Sequence, residues 1–144
     1  MAIEVWFLPS LIALTIWGVT GFLSKIALGS LPPLHLQVYG ALFFLATAAL
    51  VQIFYGGPEF DARGVMLAFC VGMAGSVGQL MFLLALRDGP LTYVSMISSL
   101  YPLIATLMAF LLLNEPMTLR QMAGVALGIC AIVLLVVSRD KQPA

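Results

Sequence analysis

The sequence predicts an all-α integral membrane bundle of five transmembrane helices, and three observations predict it. Hydrophobic residues make up 62% of the chain and charged residues only 8%, with a mean hydropathy of +1.13. A soluble domain carries about 25% charged residues, so this chain has too few to wet a surface. The charges also stand at regular intervals. Glu4 and Lys25, Arg63 and Arg87, Asp88 and Glu115, and Arg120 and Arg139 bracket uncharged stretches of 18 to 26 residues. That length crosses a hydrocarbon core of roughly 30 Å at 1.5 Å per residue. Finally, the stretches are continuous apolar runs without alternation, which excludes a membrane β-barrel.

The spans follow one another with short turns, so residues 1–144 form a single transmembrane domain with no room for a soluble one. The first span covers about Val5 to Ala27 and ends at Gly29-Ser30-Leu31-Pro32-Pro33, where the prolines stop one helix and start the next. The second covers about Leu34 to Tyr55 and closes at Gly56-Gly57-Pro58, before the polar loop Glu59-Phe60-Asp61. The third runs from about Arg63 to Leu86 and meets the tight turn Arg87-Asp88-Gly89-Pro90. The fourth runs from about Leu91 to Leu113 and closes at Asn114-Glu115-Pro116. Thr118 is placed to cap the fifth, which continues to about Ser138 before a solvated tail, Arg139 to Ala144. An Arg, Lys or Asp at a helix centre costs about 2.5–3.5 kcal/mol, and the charges sit where that cost is small.

Several function classes are excluded. Six basic and six acidic residues give zero net charge, so nothing marks nucleic acid or an acidic polymer as a partner. Cys70 and Cys130 lie within apolar runs and read as small core hydrophobes, not a disulfide or metal pair. No basic segment precedes the first apolar stretch and further spans follow it, so that stretch reads as a retained helix, not a signal peptide. With one histidine, no acid inside a span and no Gly-rich phosphate loop, no catalytic, metal or cofactor site is expected; an intramembrane protease, a metalloenzyme and an ATPase are excluded. His35, at a helix start, reads as an interfacial residue.

Five spans place the termini on opposite sides. Lys25, Arg87, Arg139 and Lys141 lie on one side, and Arg63 and Arg120 on the other. The bias favours the first side as cytoplasmic, with the N-terminus out and the C-terminus in. So small a bias is also compatible with insertion in both orientations.

Candidate functional residues are the polar and small ones inside spans. Gly64, Ala68, Gly72 and Ser76 repeat every four residues on the third span, with Gly75 and Gly78 beside them. Gly124 and Gly128 form a G-x-x-x-G pair on the fifth. Small residues let helix backbones approach closely in lipid, which leaves packing within one subunit and a dimer seam at Gly124 and Gly128 as two readings. On the fourth span Thr92, Ser95, Ser99 and Thr106 fall on one face by helical periodicity, together with Pro102. Pro102 cannot donate to the Ser98 carbonyl, and Tyr93 and Tyr101 add hydroxyls. Either these groups line a cavity, or the hydroxyls bond back to their own helix and Pro102 only kinks it. Gln79 on the third span is costly in lipid and is placed at the same cavity. On the first span Trp17 and Thr20 are further cavity candidates; Trp17 stands near mid-span, away from the interfacial belt where Trp is usual, and is expected to face the bundle. Lys25 is within reach of the membrane surface, where it can snorkel.

From Arg87-Asp88-Gly89-Pro90-Leu91-Thr92 through Tyr101-Pro102 to Leu113-Asn114-Glu115-Pro116-Met117-Thr118, the sequence resembles the EamA-like family of drug/metabolite transporters. The shared pattern is a Gly-Pro turn, an apolar helix with a central Pro, a Glu-x-x-Thr turn and a last helix with Gly-x-x-x-Gly, here after Gln121 at Gly124 and Gly128. Trp17-Gly18 and then Lys25 also look like the family's opening helix, so the resemblance covers nearly the whole chain. Most members carry two such units in inverted repeat. The resemblance therefore implies a half-transporter, one half of an inverted-repeat fold. Its partners would be the bilayer, a small-molecule substrate, and a second copy or a related five-helix unit as homodimer or heterodimer. It also implies a bacterial or archaeal cytoplasmic (inner) membrane.

One departure matters. The small multidrug resistance proteins of the same superfamily use a mid-membrane Glu in the first helix, a place that Trp17 takes here, while Glu4 lies near the membrane edge. Proton-coupled export of cationic drugs by that mechanism is therefore not implied. A neutral or zwitterionic metabolite fits better, because no charge within a span offsets a substrate's net charge. The functional expectation is transport of a small metabolite or drug-like molecule by alternating access. The alternative is a non-transporting membrane subunit that stabilises or regulates a partner complex.

Overall fold

A computed structural model describes residues 6–57 and 60–138, with backbone alone at 132 and 135–138. The expected start at Val5, Glu4, Glu59 of the loop, and the tail with Arg139 and Lys141 fall outside the described residues. All regular structure among the described residues is helical: α1 (Phe7–Ala27), α2 (Pro33–Tyr55), α3 (Ala62–Asp88), α4 (Leu91–Ser98), α5 (Tyr101–Leu112) and α6 (Leu119–Ser138). Phe7–Ala27, Pro33–Tyr55, Ala62–Asp88 and the α4–α5 stretch Leu91–Leu112 are each long and apolar enough to cross a membrane. The backbone of α6, at 20 residues, is about 30 Å long, and its Leu119–Ala131 portion is apolar. This is the expected membrane bundle, with one expected span delivered as two helices.

Local chemistry sets the boundaries. Pro32 is extended (φ −61°, ψ 148°) and Pro33 opens α2, where a missing N–H removes no helical hydrogen bond. Gly56 ends α2 at φ +84°, a conformation glycine adopts without a Cβ clash. Asp61 caps α3: its Oδ2 accepts the Gly64 amide at 2.6 Å and its carbonyl accepts the Val65 amide at 2.8 Å. A Cβ on Gly64 would lie 3.0 Å from that Oδ2. Gly64 therefore serves the cap, which separates it from the small-residue repeat. At the other end of α3, Arg87 pairs with the neighbouring Asp88 at 2.8 Å. The pair is exposed and contributes little stability.

The chain divides into two compact units, one ending at Asp88 and the other beginning at Gly89. In the first, α3 packs on both α1 and α2. Its buried residues are Gly21 and Ser24 of α1, Pro33 of α2, and Leu83 and Leu86 of α3. They gather where α1 ends, α2 begins and α3 ends. There Lys25 Nζ donates to the Leu86 carbonyl at 2.6 Å. That carbonyl is among the last four of α3, which have no intrahelical partner, and an ammonium at a helix C-terminus also meets the negative end of the helix dipole. Lys25 is thus a tie between α1 and α3 and not simply a snorkelling side chain. Further along, Gln37 Nε2 of α2 donates at 3.2 Å both to the Ser76 carbonyl and to Ser76 Oγ of α3.

Away from that end the apolar side chains point outward; Phe44 is 77% exposed and Phe69 76%. Such surfaces are stable against lipid tails, not water. Cys70 and Cys130 are free thiols on exposed faces. This corrects their expected place in a core: a thiol is apolar enough to face acyl chains. In the second unit α6 packs against α4.

Two stability outcomes follow. Lys25→Met should lower the unfolding free energy in mixed micelles by about 1.5–3 kcal/mol, the usual worth of a charge-assisted hydrogen bond; an unchanged transition would show that the α1–α3 tie carries no load. Asp61→Ala should lose about 1 kcal/mol through the cap, checked in the same assay.

Candidate functional site

The fourth span is broken near its middle. α4 ends at Ser98 and α5 starts at Tyr101, with Ser99 (φ −66°, ψ −2°) and Leu100 (φ −76°, ψ −13°) between them. Across the break the bonds shorten to three residues, Leu100 N to the Ile97 carbonyl at 3.2 Å and Leu103 N to the Leu100 carbonyl at 2.9 Å. The cause is local: Pro102 has no N–H for the Ser98 carbonyl, and its ring crowds the preceding turn. With α4 of 8 residues and α5 of 12, the break has about 12 Å of helix on one side and about 18 Å on the other. The break thus falls near the middle of a stretch long enough to cross a membrane. Thr92 and Ser95 belong to α4, Pro102 and Thr106 to α5, and Ser99 to the turn between them. A three-residue turn advances about 120° per residue, not 100°, which offsets the two parts of the expected polar face by about 40°.

The hydroxyls divide between the two readings. Ser99 Oγ donates to the Met96 carbonyl at 2.7 Å, and Thr20 Oγ1 donates to the Ile16 carbonyl at 2.8 Å. Both bond back to their own chain segment. Tyr93, Ser95 and Thr106 are half-buried, whereas Thr92, Tyr101 and Pro102 are exposed. In the first unit Gln79 is exposed and Trp17 is 62% exposed, so α1, α2 and α3 alone do not enclose Trp17.

Within the second unit a groove of about 460 Å³ opens between α5 and α6. Pro102, Thr106 and Phe110 of α5 line it, Glu115 stands in the connection, and Gln121 and Gly124 line it from α6. Two of the expected cavity residues, Pro102 and Thr106, therefore meet one of the expected seam residues, Gly124. The other candidates of this unit, Thr92, Tyr93, Ser95, Ser99, Tyr101 and Gly128, lie outside that lining. Among the described residues, and apart from the helix's own adjoining backbone, nothing lies within 4 Å of a Cβ position at Gly124 or Gly128, nor at Gly72, Gly75 or Gly78 in the first unit. Close packing within a unit is therefore not what these five glycines provide.

The groove's mouth is shaped by the α5–α6 connection. Asn114 is left-handed (φ 52°), unique among the described non-glycine residues. Asn tolerates this conformation better than most side chains. The turn brings the Glu115 amide to the Ala109 carbonyl at 3.3 Å, which also accepts the Leu113 amide at 3.0 Å. Thr118 then caps α6 as expected. Gln121 Oε1 accepts from Thr118 N at 2.8 Å and from Thr118 Oγ1 at 2.9 Å, while Thr118 Oγ1 accepts the Gln121 amide at 3.3 Å. This reciprocal capping box fixes Gln121 at the groove's edge.

Three polar residues with structural or groove positions were not among the expected site residues. Gln37 carries the same signal as Gln79, a glutamine inside an apolar span, and that signal was sufficient to mark it. Glu115 and Gln121 are visible in the Glu-x-x-Thr turn, but no sequence spacing shows that the turn folds over a groove.

In a comparison with known families the chain matches the family described as EamA-like transporter family over residues 4–137. No curated protein and no solved structure matches.

Asn114→Val should destabilise the fold by about 1–2 kcal/mol, the cost of a left-handed conformation for a side chain without local hydrogen bonding, whereas Asn114→Gly should stay near the parent. Thermal unfolding of the three purified proteins in one detergent separates these outcomes.

Proposed function

The chain belongs to the EamA-like transporter family, within the drug/metabolite transporter superfamily, and on that premise we propose that it is a half-transporter for a small metabolite or drug-like molecule. It is a multi-pass membrane protein of a transporter family. The proposed unit is a pair, this chain with a second copy or a related five-helix chain, inserted in opposite orientation so that two units recreate an inverted repeat. The membrane is a bacterial or archaeal cytoplasmic membrane, with the N-terminus out and the C-terminus in, or both orientations.

The observation that supports this reading most is the break at Ser99-Leu100. Broken helices near the midplane are the usual place where transporters bind substrate, because irregular backbone in lipid is tolerated only where protein or a wet cavity covers it. Thr106 and Pro102 beside the break are the proposed substrate-facing residues of α5. Trp17, Thr20 and Gln79 of the first unit, with Thr92, Tyr93, Ser95, Ser99 and Tyr101, remain proposed contributors to the substrate path. Of the seam pair Gly124 and Gly128, Gly124 faces the groove, whereas Gly128 lies outside it with open space at its Cβ position, which supports a close neighbour there.

The test is substrate-screened flux into proteoliposomes holding the purified protein. Flux should appear and fall at least tenfold in Thr106→Leu, with insertion and helicity unchanged. No protein-dependent flux in either membrane orientation would favour the rival, a non-transporting subunit of a partner complex. Paired reporter fusions at Ala144 and in the 59–61 loop should report both sides of the membrane for each fusion. A single orientation would exclude the antiparallel homodimer and require a differently oriented partner.

A further inference from the structure

The groove between α5 and α6 carries, besides Pro102 and Thr106, a charged group that the transport reading does not use. Most of its lining residues are apolar, with Thr106, Glu115 and Gln121 among them, and its volume of about 460 Å³ is in the range of small-molecule sites, about 300–1,000 Å³. It is too small for a two-chain lipid. The only charged side chain in its lining is Glu115, at the end where α5 gives way to the connection. The backbone amide of Glu115 is held by the Ala109 carbonyl, which fixes the residue's place at the mouth. Among the described residues no hydrogen bond or ion pair engages its carboxylate. Deeper in, Thr106 offers a hydroxyl oxygen and Phe110 an aromatic ring. At Gly124 the wall is open where any other residue would place a Cβ.

We propose that this groove binds a small molecule carrying one ammonium group on an apolar body, with the ammonium at Glu115 and the body lying between Phe110 and Gly124. An ammonium supplies N–H donors to the carboxylate, a charge-assisted contact about twice as strong as a neutral one. An aromatic face tolerates a nearby cation as well. The charge stays at the membrane edge, where it is little desolvated, and the apolar body enters the part of the groove that lies at the depth of the hydrocarbon. No charge then has to cross the midplane for binding, which is consistent with the absence of acidic residues inside the spans. The inference rests on the proposed function and replaces the neutral or zwitterionic ligand expected from the spans with a cation, whose charge Glu115 meets outside them; binding and flux are separable measurements.

The experiment is isothermal titration of the purified full chain in phosphatidylcholine nanodiscs at pH 7 with phenethylammonium, and with 2-phenylethanol as the uncharged analogue of similar size. The cation is expected to bind at least tenfold more tightly than the alcohol. Glu115→Gln should lose that preference, Glu115→Asp should keep most of it, and Gly124→Leu should weaken the binding of both compounds by filling the wall. Circular dichroism confirms that each variant retains its helices. No binding of the cation, equal binding of cation and alcohol, or full binding in Glu115→Gln would each overturn the proposal. Loss of binding when phosphatidylethanolamine is added would assign the site to a lipid headgroup and overturn it as well. Ammonium-specific binding without any flux would leave this site standing and remove the transport reading; flux of uncharged solutes without ammonium binding would do the reverse.

Discussion

Within the membrane-spanning stretches every backbone polar group has to find its partner without water, and the rest of the structure depends on that constraint. In hydrocarbon an unpaired amide or carbonyl costs several kcal/mol, so all regular structure among the described residues is helical and the exceptions fall where a specific group compensates. Asp61 receives the first amides of α3, the Thr118–Gln121 box those of α6, and Lys25 donates to a carbonyl at the end of α3. The cation that the first helix keeps near its end therefore closes the third helix.

The hydrophobic effect, dominant in soluble folding, contributes little between helices in lipid. That explains a unit whose buried residues gather at one end of α1, α2 and α3 while aromatic side chains face outward elsewhere. Polar ties replace a conventional core. Gln37 bonding Ser76 is worth about 0.6 kcal/mol by the average of such interhelical bonds, so it specifies which faces meet more than it adds stability. Glycines with open Cβ positions leave the faces of α3 and α6 able to take a close neighbour, as the proposed pairing requires.

The break at Ser99-Leu100 departs from the helical rule and is where function is proposed. Its backbone is three-residue turn, not α-helix, in a stretch apolar enough to span a membrane. The Ser99 hydroxyl donates to the Met96 carbonyl, whose usual helical donor, the Leu100 amide, turns to Ile97 instead. The groove that begins beside Pro102 and ends at Glu115 joins this irregular backbone to a charge at the membrane edge.

The sequence by itself determined the class of fold and most helix boundaries, because length, charge spacing, proline and glycine act locally: Pro33 opens α2, Gly56 closes it and Thr118 caps α6. It also located the irregularity at Pro102, since a missing amide is a property of one residue. The structure shows how far that irregularity reaches, with three-residue bonds at Leu100 and Leu103 and α-helix on either side. It alone placed Lys25 on Leu86, exposed Cys70 and Cys130, and set Glu115 and Gln121 beside Thr106 and Gly124. Periodicity tells which residues share a helix face. Which face meets which helix is settled by long-range contacts between nearly uniform apolar surfaces, and a uniform surface carries no pattern to read.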